Sequence, residues 1–160
     1  MKPISCISLI LFLIMGCANE EKWSFNTKIT SDNCKYCEGA VAEAIRKEKH
    51  AIIALLTVEI SKDKKFVMIC SKNDCSDKKT LPLTQLKEGE FSFSEEIAEN
   101  NMRGCVMRAA NATYLLRILN SEAIIRRTVP LKIAQEDCCQ IGLKDNQECI
   151  LISEGTVKRE

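Results

Sequence analysis

Ala51-Ile52-Ile53-Ala54-Leu55-Leu56-Thr57-Val58-Glu59-Ile60-Ser61 is the stretch whose reading decides the fold. Ile52, Ala54, Leu56, Val58 and Ile60 share one parity, and Thr57, Glu59 and Ser61 share the other. A period of two places alternate side chains on opposite faces of an extended chain, so this is a strand with one buried face. Ser61-Lys62-Asp63-Lys64-Lys65 is polar and reads as a hairpin loop into a second strand, Phe66 to Cys70.

Working toward the C-terminus, Cys70 to Lys79 reads as a polar loop, and Leu81-Pro82-Leu83 does not suit the inside of a central strand. Lys87-Glu88-Gly89-Glu90 is a turn before the alternating Phe91-Ser92-Phe93-Ser94. Further strands are expected at Met102 to Ala109, Tyr114 to Leu119, Ala123 to Ile133 and Cys149 to Ser153, separated by polar breaks. Toward the N-terminus, Trp23 to Thr30 alternates enough to be an edge strand or an ordered lead-in. Ser31-Asp32-Asn33 has the chemistry of a helix N-cap, and Ala42, Val41 and Ile45 recur at helical spacing over about Cys34 to Lys49. The expected fold is mainly β, a disulfide-braced antiparallel sandwich or barrel with one N-terminal helix.

The chain has 160 residues and ten cysteines. Met1 to Cys17 carries one charge, Lys2, then an apolar run from Ile4 to Met15 and small residues at its end. That run is short for a bilayer span and has the parts of an export signal. The expected division is a signal peptide over 1–16, a lipidated N-terminus and lead-in over 17–30, and a single disulfide-rich globular domain over 31–160. Cleavage before Cys17 removes only Lys2, so 22 basic residues face 22 acidic ones in the mature chain. These charges are interspersed, and the basic footprint of a nucleic-acid binder is absent, so no nucleic-acid partner is expected. A weakly charged surface suits self-association or protein partners.

Eight cysteines lie beyond Cys17: Cys34, Cys37, Cys70, Cys75, Cys105, Cys138, Cys139 and Cys149. An even number in an exported chain reads as disulfides, and sequence leaves their pairing open among 105 alternatives. Vicinal Cys138 and Cys139 are expected to bond different partners, because the single peptide between them is too short for relaxed disulfide geometry. Joining the Cys34/Cys37 end to the Cys138/Cys139 end would close a loop of about a hundred residues, worth ~4–5 kcal/mol through the unfolded state.

Ile14-Met15-Gly16-Cys17 resembles the lipobox of bacterial lipoproteins, and the leader with its short polar continuation resembles those of spirochaete-type surface lipoproteins. The resemblance implies a diacylglycerol on Cys17, residence at the outer membrane or cell surface, and host-matrix or plasma-protein binding. Plain secretion with cleavage after Ala18 is the rival reading. Cys34-Lys35-Tyr36-Cys37, with Thr128-Val129-Pro130, resembles the thioredoxin and glutaredoxin superfamily, which implies Cys34 as nucleophile, Cys37 as resolving thiol and Pro130 facing them. The cysteine order also resembles Ly6 and three-finger proteins, implying a secreted eukaryotic binding module. Cys34/Cys37 with Cys70/Cys75 has spacing compatible with a tetrathiolate zinc site, which export into an oxidising space disfavours.

His50 is the single histidine and reads as a solvated helix-end residue. Glu95, Glu96 and Glu99 read as a solvated face, and Asn111-Ala112-Thr113 as a turn or, in a eukaryotic host, a glycosylation sequon. With no serine elbow, phosphate loop or HExxH, neither a catalytic site nor a cofactor is expected. The leading expectation is a membrane-anchored, non-catalytic binding or adhesion module, with an envelope thiol oxidoreductase as the enzymatic alternative.

Overall fold

A computed structural model describes residues 21–97, 100–102, 105–109, 111–133 and 138–158. Cys17 and Glu99, and the rest of the leader, lie outside the described residues.

Eleven strands form one antiparallel sheet: β1 (Glu21–Asp32), β2 (Ile53–Ile60), β3 (Phe66–Cys70), β4 (Lys79–Pro82), β5 (Thr84–Lys87), β6 (Glu90–Glu95), β7 (Asn100–Met102), β8 (Cys105–Ala109), β9 (Ala112–Ile118), β10 (Glu122–Ile133) and β11 (Gln147–Lys158). One helix, α1 (Ala40–Ala51), and a 3₁₀ turn at Cys138–Ile141 complete it. Among the described residues the architecture is therefore the expected one, β-rich with a single N-terminal helix.

The hydrogen-bonded order is β4-β3-β2-β1-β11-β10-β9-β6-β5, and its two edge strands, β4 and β5, are consecutive in the chain and joined through Leu83. The sheet thus curls into a nearly closed up-and-down barrel. The inward parity of its strands supplies Trp23, Phe25, Leu56, Val58, Ile60, Val67, Ile69, Phe91, Phe93, Tyr114, Leu116 and Ile125, all buried in one continuous core. With β4 and β5 taken as one interrupted strand the closed path has eight strands, an interior that side chains can fill or that can hold one small ligand. Phe93 and Tyr114 stack across β6 and β9 with ring centroids 4.6 Å apart.

Antiparallel order puts the connections alternately at the two ends. The segments 61–65, 88–89 and 119–121 are tight turns at one end, where the chain also enters at Glu21 and β11 finishes at Lys158. At the other end lie the long connections: 33–52 with α1, 71–78, and the excursion through β7 and β8. There β8 takes over from β9 along β10, which pairs Thr128 with Thr113 and then Leu131 with Ala109. A second core of Cys34, Cys105, Ile133, Cys138, Leu143 and Cys149 packs beneath this end.

Several elements depart from the sequence expectations. Trp23 to Thr30 is no lead-in or edge but part of β1, a central strand between β2 and β11, because Trp23, Phe25 and Thr27 alternate into the barrel. The body of the fold consequently begins by Glu21 and not at residue 31. Lys79–Lys87, for which no strand was expected, forms β4 and β5; Pro82 is tolerated because β4 pairs only with β3. Met102 ends β7 and Cys105–Ala109 is β8, two antiparallel strands where one was expected.

The helix starts at Ala40, six residues later than its periodicity suggested, and its N-cap is Gly39, with no side-chain cap. Residues 33–37 are held extended instead: Asn33 exchanges hydrogen bonds with Ile150 (3.3 Å, and 2.6 Å to Asn33 Oδ1), and Cys37 N donates to Gly142 O at 2.9 Å. Ser31-Asp32-Asn33 is therefore the end of a strand and the start of an extended segment. Both Ile150 backbone groups point at Asn33, so Pro130, opposite Ile150, is a non-hydrogen-bonded partner whose nitrogen faces the gap between β8 and β9. No ladder bond is lost there.

Candidate functional site

The eight body cysteines pair as Cys34–Cys149, Cys37–Cys139, Cys70–Cys75 and Cys105–Cys138. Cys138 and Cys139 do bond different partners, and segments near the two ends of the chain are joined by bridges 115 and 102 residues apart in sequence. The two cysteines of the CxxC do not pair with each other, and neither lies at a helix N-terminus. Pro130 sits in β10 and serves the sheet. The four cysteines of the supposed zinc site are split between three disulfides, and among the described residues no group of His, Cys, Asp and Glu is arranged to hold a metal.

His50 is indeed at the helix end, but it is engaged. Its Nε2 lies 2.6 Å from Asp32 Oδ2, and the same oxygen accepts from Tyr36 OH at 2.7 Å. The Asp32 side chain is 2% exposed. Burial alone would raise its carboxyl, but the two hydrogen bonds and the charges of His50 and Lys49 outweigh it and hold the group below its ordinary value. The Tyr36 hydroxyl is raised by burial and by Asp32. Arg46 and Lys49 lie over the Tyr36 ring at 5.2 and 5.8 Å. This cluster fastens the last turn of α1 to the end of β1.

The arrangement best suited to a ligand is at the barrel end that carries the long connections. A cavity of about 180 Å³ opens there among Thr27, Ala54, Leu56, Ile69, Glu95, Tyr114 and Arg127, with Lys79 and the 71–77 loop at its rim. The Cys70–Cys75 bridge closes that loop, and Asp77 organises it by accepting from Ser71 N at 3.1 Å and Lys72 N at 3.2 Å.

Inside, the polar groups form a chain. Tyr114 OH donates to Glu95 Oε2 at 2.7 Å, and Lys79 Nζ contacts Glu95 Oε1. The Glu95 side chain is 12% exposed, so it is no solvated face; Glu96, next to it, is exposed. Burial pushes the Glu95 carboxyl up, but the bonds from Lys79 and Tyr114 and the charges of Lys79 and Arg127 bring it below its ordinary value. Burial and the adjoining carboxylate push the Tyr114 hydroxyl up against the opposing pull of Arg127. The Arg127 guanidinium lies 5.5 Å from the Tyr114 ring centroid, and its buried Nε finds no hydrogen-bond partner among the described residues. Asn111 is exposed beside β9.

Lys79, Tyr114 and Arg127 did not stand out in the sequence. The signal they leave is a change of chemistry at fixed parity: Phe91-x-Phe93-x-Glu95 and Ala123-x-Ile125-x-Arg127 put a charge where the apolar face continues. No protein-family model, curated protein or solved structure matches this chain.

Proposed function

We propose that this chain is an exported lipoprotein, acylated on Cys17, whose disulfide-braced barrel acts as a non-catalytic binding module at the cell surface. The observation that carries the reading is the complete pairing of the eight body cysteines, two of the bridges spanning more than a hundred residues. Such crosslinks persist in an oxidising space and are rare where thiols are kept reduced. More than one acyl chain makes membrane residence stable where a single chain is marginal.

The anchor also fixes which end of the barrel is presented. Residues 18–20 lie between Cys17 and the start of β1, and four peptide steps reach at most about 14 Å. Glu21 is at the tight-turn end, so that end is tethered close to the bilayer, and the cavity with its long connections points away from it. A protein partner, such as a host matrix or plasma protein, would meet that outer end first.

Metabolic labelling with radioactive palmitate and detergent phase partitioning test the reading. The wild-type chain should take the label and enter the detergent phase, and Cys17→Ala should do neither, with intact mass showing four disulfides in both. Recovery of the uncleaved chain from cytosol, folded and with all ten thiols alkylatable, would overturn the proposal.

A further inference from the structure

We infer that the cavity at the outer end of the barrel is a binding site for a small monocarboxylate with a short apolar tail, its carboxylate received by Arg127. The inference names the ligand of the site just described, and it rests on the binding-module reading only for that site being functional.

Hydrogen bonding is the first argument. The cavity is lined by Glu95 and Arg127 within and by Lys79 and Asp77 at the rim, two charges of each sign. Glu95 spends one oxygen on Tyr114 and the other on Lys79. Arg127 is left with a buried donor that nothing in the described structure accepts. A buried unsatisfied donor is costly, and native proteins keep few of them. An incoming acceptor satisfies that donor, and a guanidinium presents the planar fork that a carboxylate matches with two parallel bonds.

Size and lining set the rest of the ligand. The cavity, about 180 Å³, slightly exceeds the roughly 150 Å³ that accommodates benzene. It is well below the ~300–1,000 Å³ of pockets for larger ligands. Leu56, Ile69, Ala54 and the Tyr114 ring give the space beside Arg127 an apolar wall. Ligands of about five to nine non-hydrogen atoms, such as butyrate or benzoate, meet both conditions.

Calorimetry on the purified full chain tests this with butyrate and benzoate, against butyramide, benzamide and inorganic phosphate. The acids should bind saturably at one site, and each amide at least about tenfold more weakly, since a hydrogen bond to a charged group is worth about one to two powers of ten. Arg127→Gln should weaken butyrate by about tenfold or more, with Arg127→Lys between it and wild type. In ¹H–¹⁵N spectra the Arg127 Nε–H resonance, identified by its loss in Arg127→Lys, should move on titration. Ala54→Phe leaves Arg127 in place and fills the mouth from a position exposed at the rim, so it should abolish binding even if Arg127→Gln fails to fold. Absence of saturable binding, equal affinity for acid and amide, stronger binding of phosphate, or unchanged affinity in Ala54→Phe would each overturn the assignment. Cys17→Ala should bind butyrate like the wild type, so failure of the anchor and failure of the carboxylate site are read separately.

Discussion

The two long disulfides are nested, and their nesting predicts a specific departure from additivity. Cys34–Cys149 and Cys37–Cys139 each close more than a hundred residues. On chain entropy alone, either bridge in an otherwise open chain is worth about 4.7 kcal/mol. With one bridge intact, however, the second closes only the small ring formed by Cys34 to Cys37, Cys139 to Cys149 and the existing crosslink. Three peptide steps on one side and ten on the other make that ring about 15 residues, worth about 3 kcal/mol. Replacing either pair with alanine should therefore cost about 3 kcal/mol, and replacing both about 7.7, more than the sum of the separate losses. Urea unfolding under non-reducing conditions measures this, with the slope checked because a looser unfolded state raises it. Two single-pair losses near 4.7 kcal/mol that simply add would refute the entropic reasoning, as would a double loss no greater than the sum of the singles.

The remaining predictions concern the barrel and its charges. Gly155 on β11 leaves no room for a side chain, since an added Cβ would lie 2.9 Å from Thr27 Cγ2 and 3.0 Å from Asn26 O. Gly155→Ala should destabilise by about 1–3 kcal/mol, read as a lower urea midpoint, and a neutral result would mean that β1 and β11 are less closely packed. Asp32 and Glu95 both have carboxyls held below their ordinary values in the fold. Each therefore contributes stability that is present above the unfolded carboxylate pKa and is lost as pH falls through the folded value. Asp32→Asn and Glu95→Gln should each flatten the decline in stability below about pH 5, and an acid limb as steep as the wild type's would remove them as its cause.

Much of the architecture is written locally. The parity of Leu56, Val58 and Ile60, or of Phe91 and Phe93, is a property of a few adjacent residues, and it specifies a strand whatever surrounds it. The sulfur chemistry was similarly legible: once the leader is read as an export signal, an even count of body cysteines and a vicinal pair point to crosslinks from the covalent structure alone. What could not be read was the extent of α1 and the nature of β4 and β5. Helical spacing ran back to Cys34, yet backbone bonds to Gly142 and Ile150, more than a hundred residues away, hold that segment extended. Lys79–Lys87 becomes strand because the two edges of the sheet need a shared strand to close.

The same division applies to the site. The break in apolar parity at Glu95 and Arg127 is present in the sequence, but Glu95 read there as a solvated face, and nothing showed that Tyr114, Lys79 and a disulfide-closed loop would meet them. Those residues come from β4, β6, β9 and β10, and only barrel closure brings them to one end. By itself, then, the sequence determined most of the strands, the presence of a helix and the presence of crosslinks, because short-range periodicity and covalent chemistry act within a few residues. The tertiary structure decided which sulfurs pair, where the helix begins and where the charges converge, because these follow from contacts between segments that the sequence holds far apart.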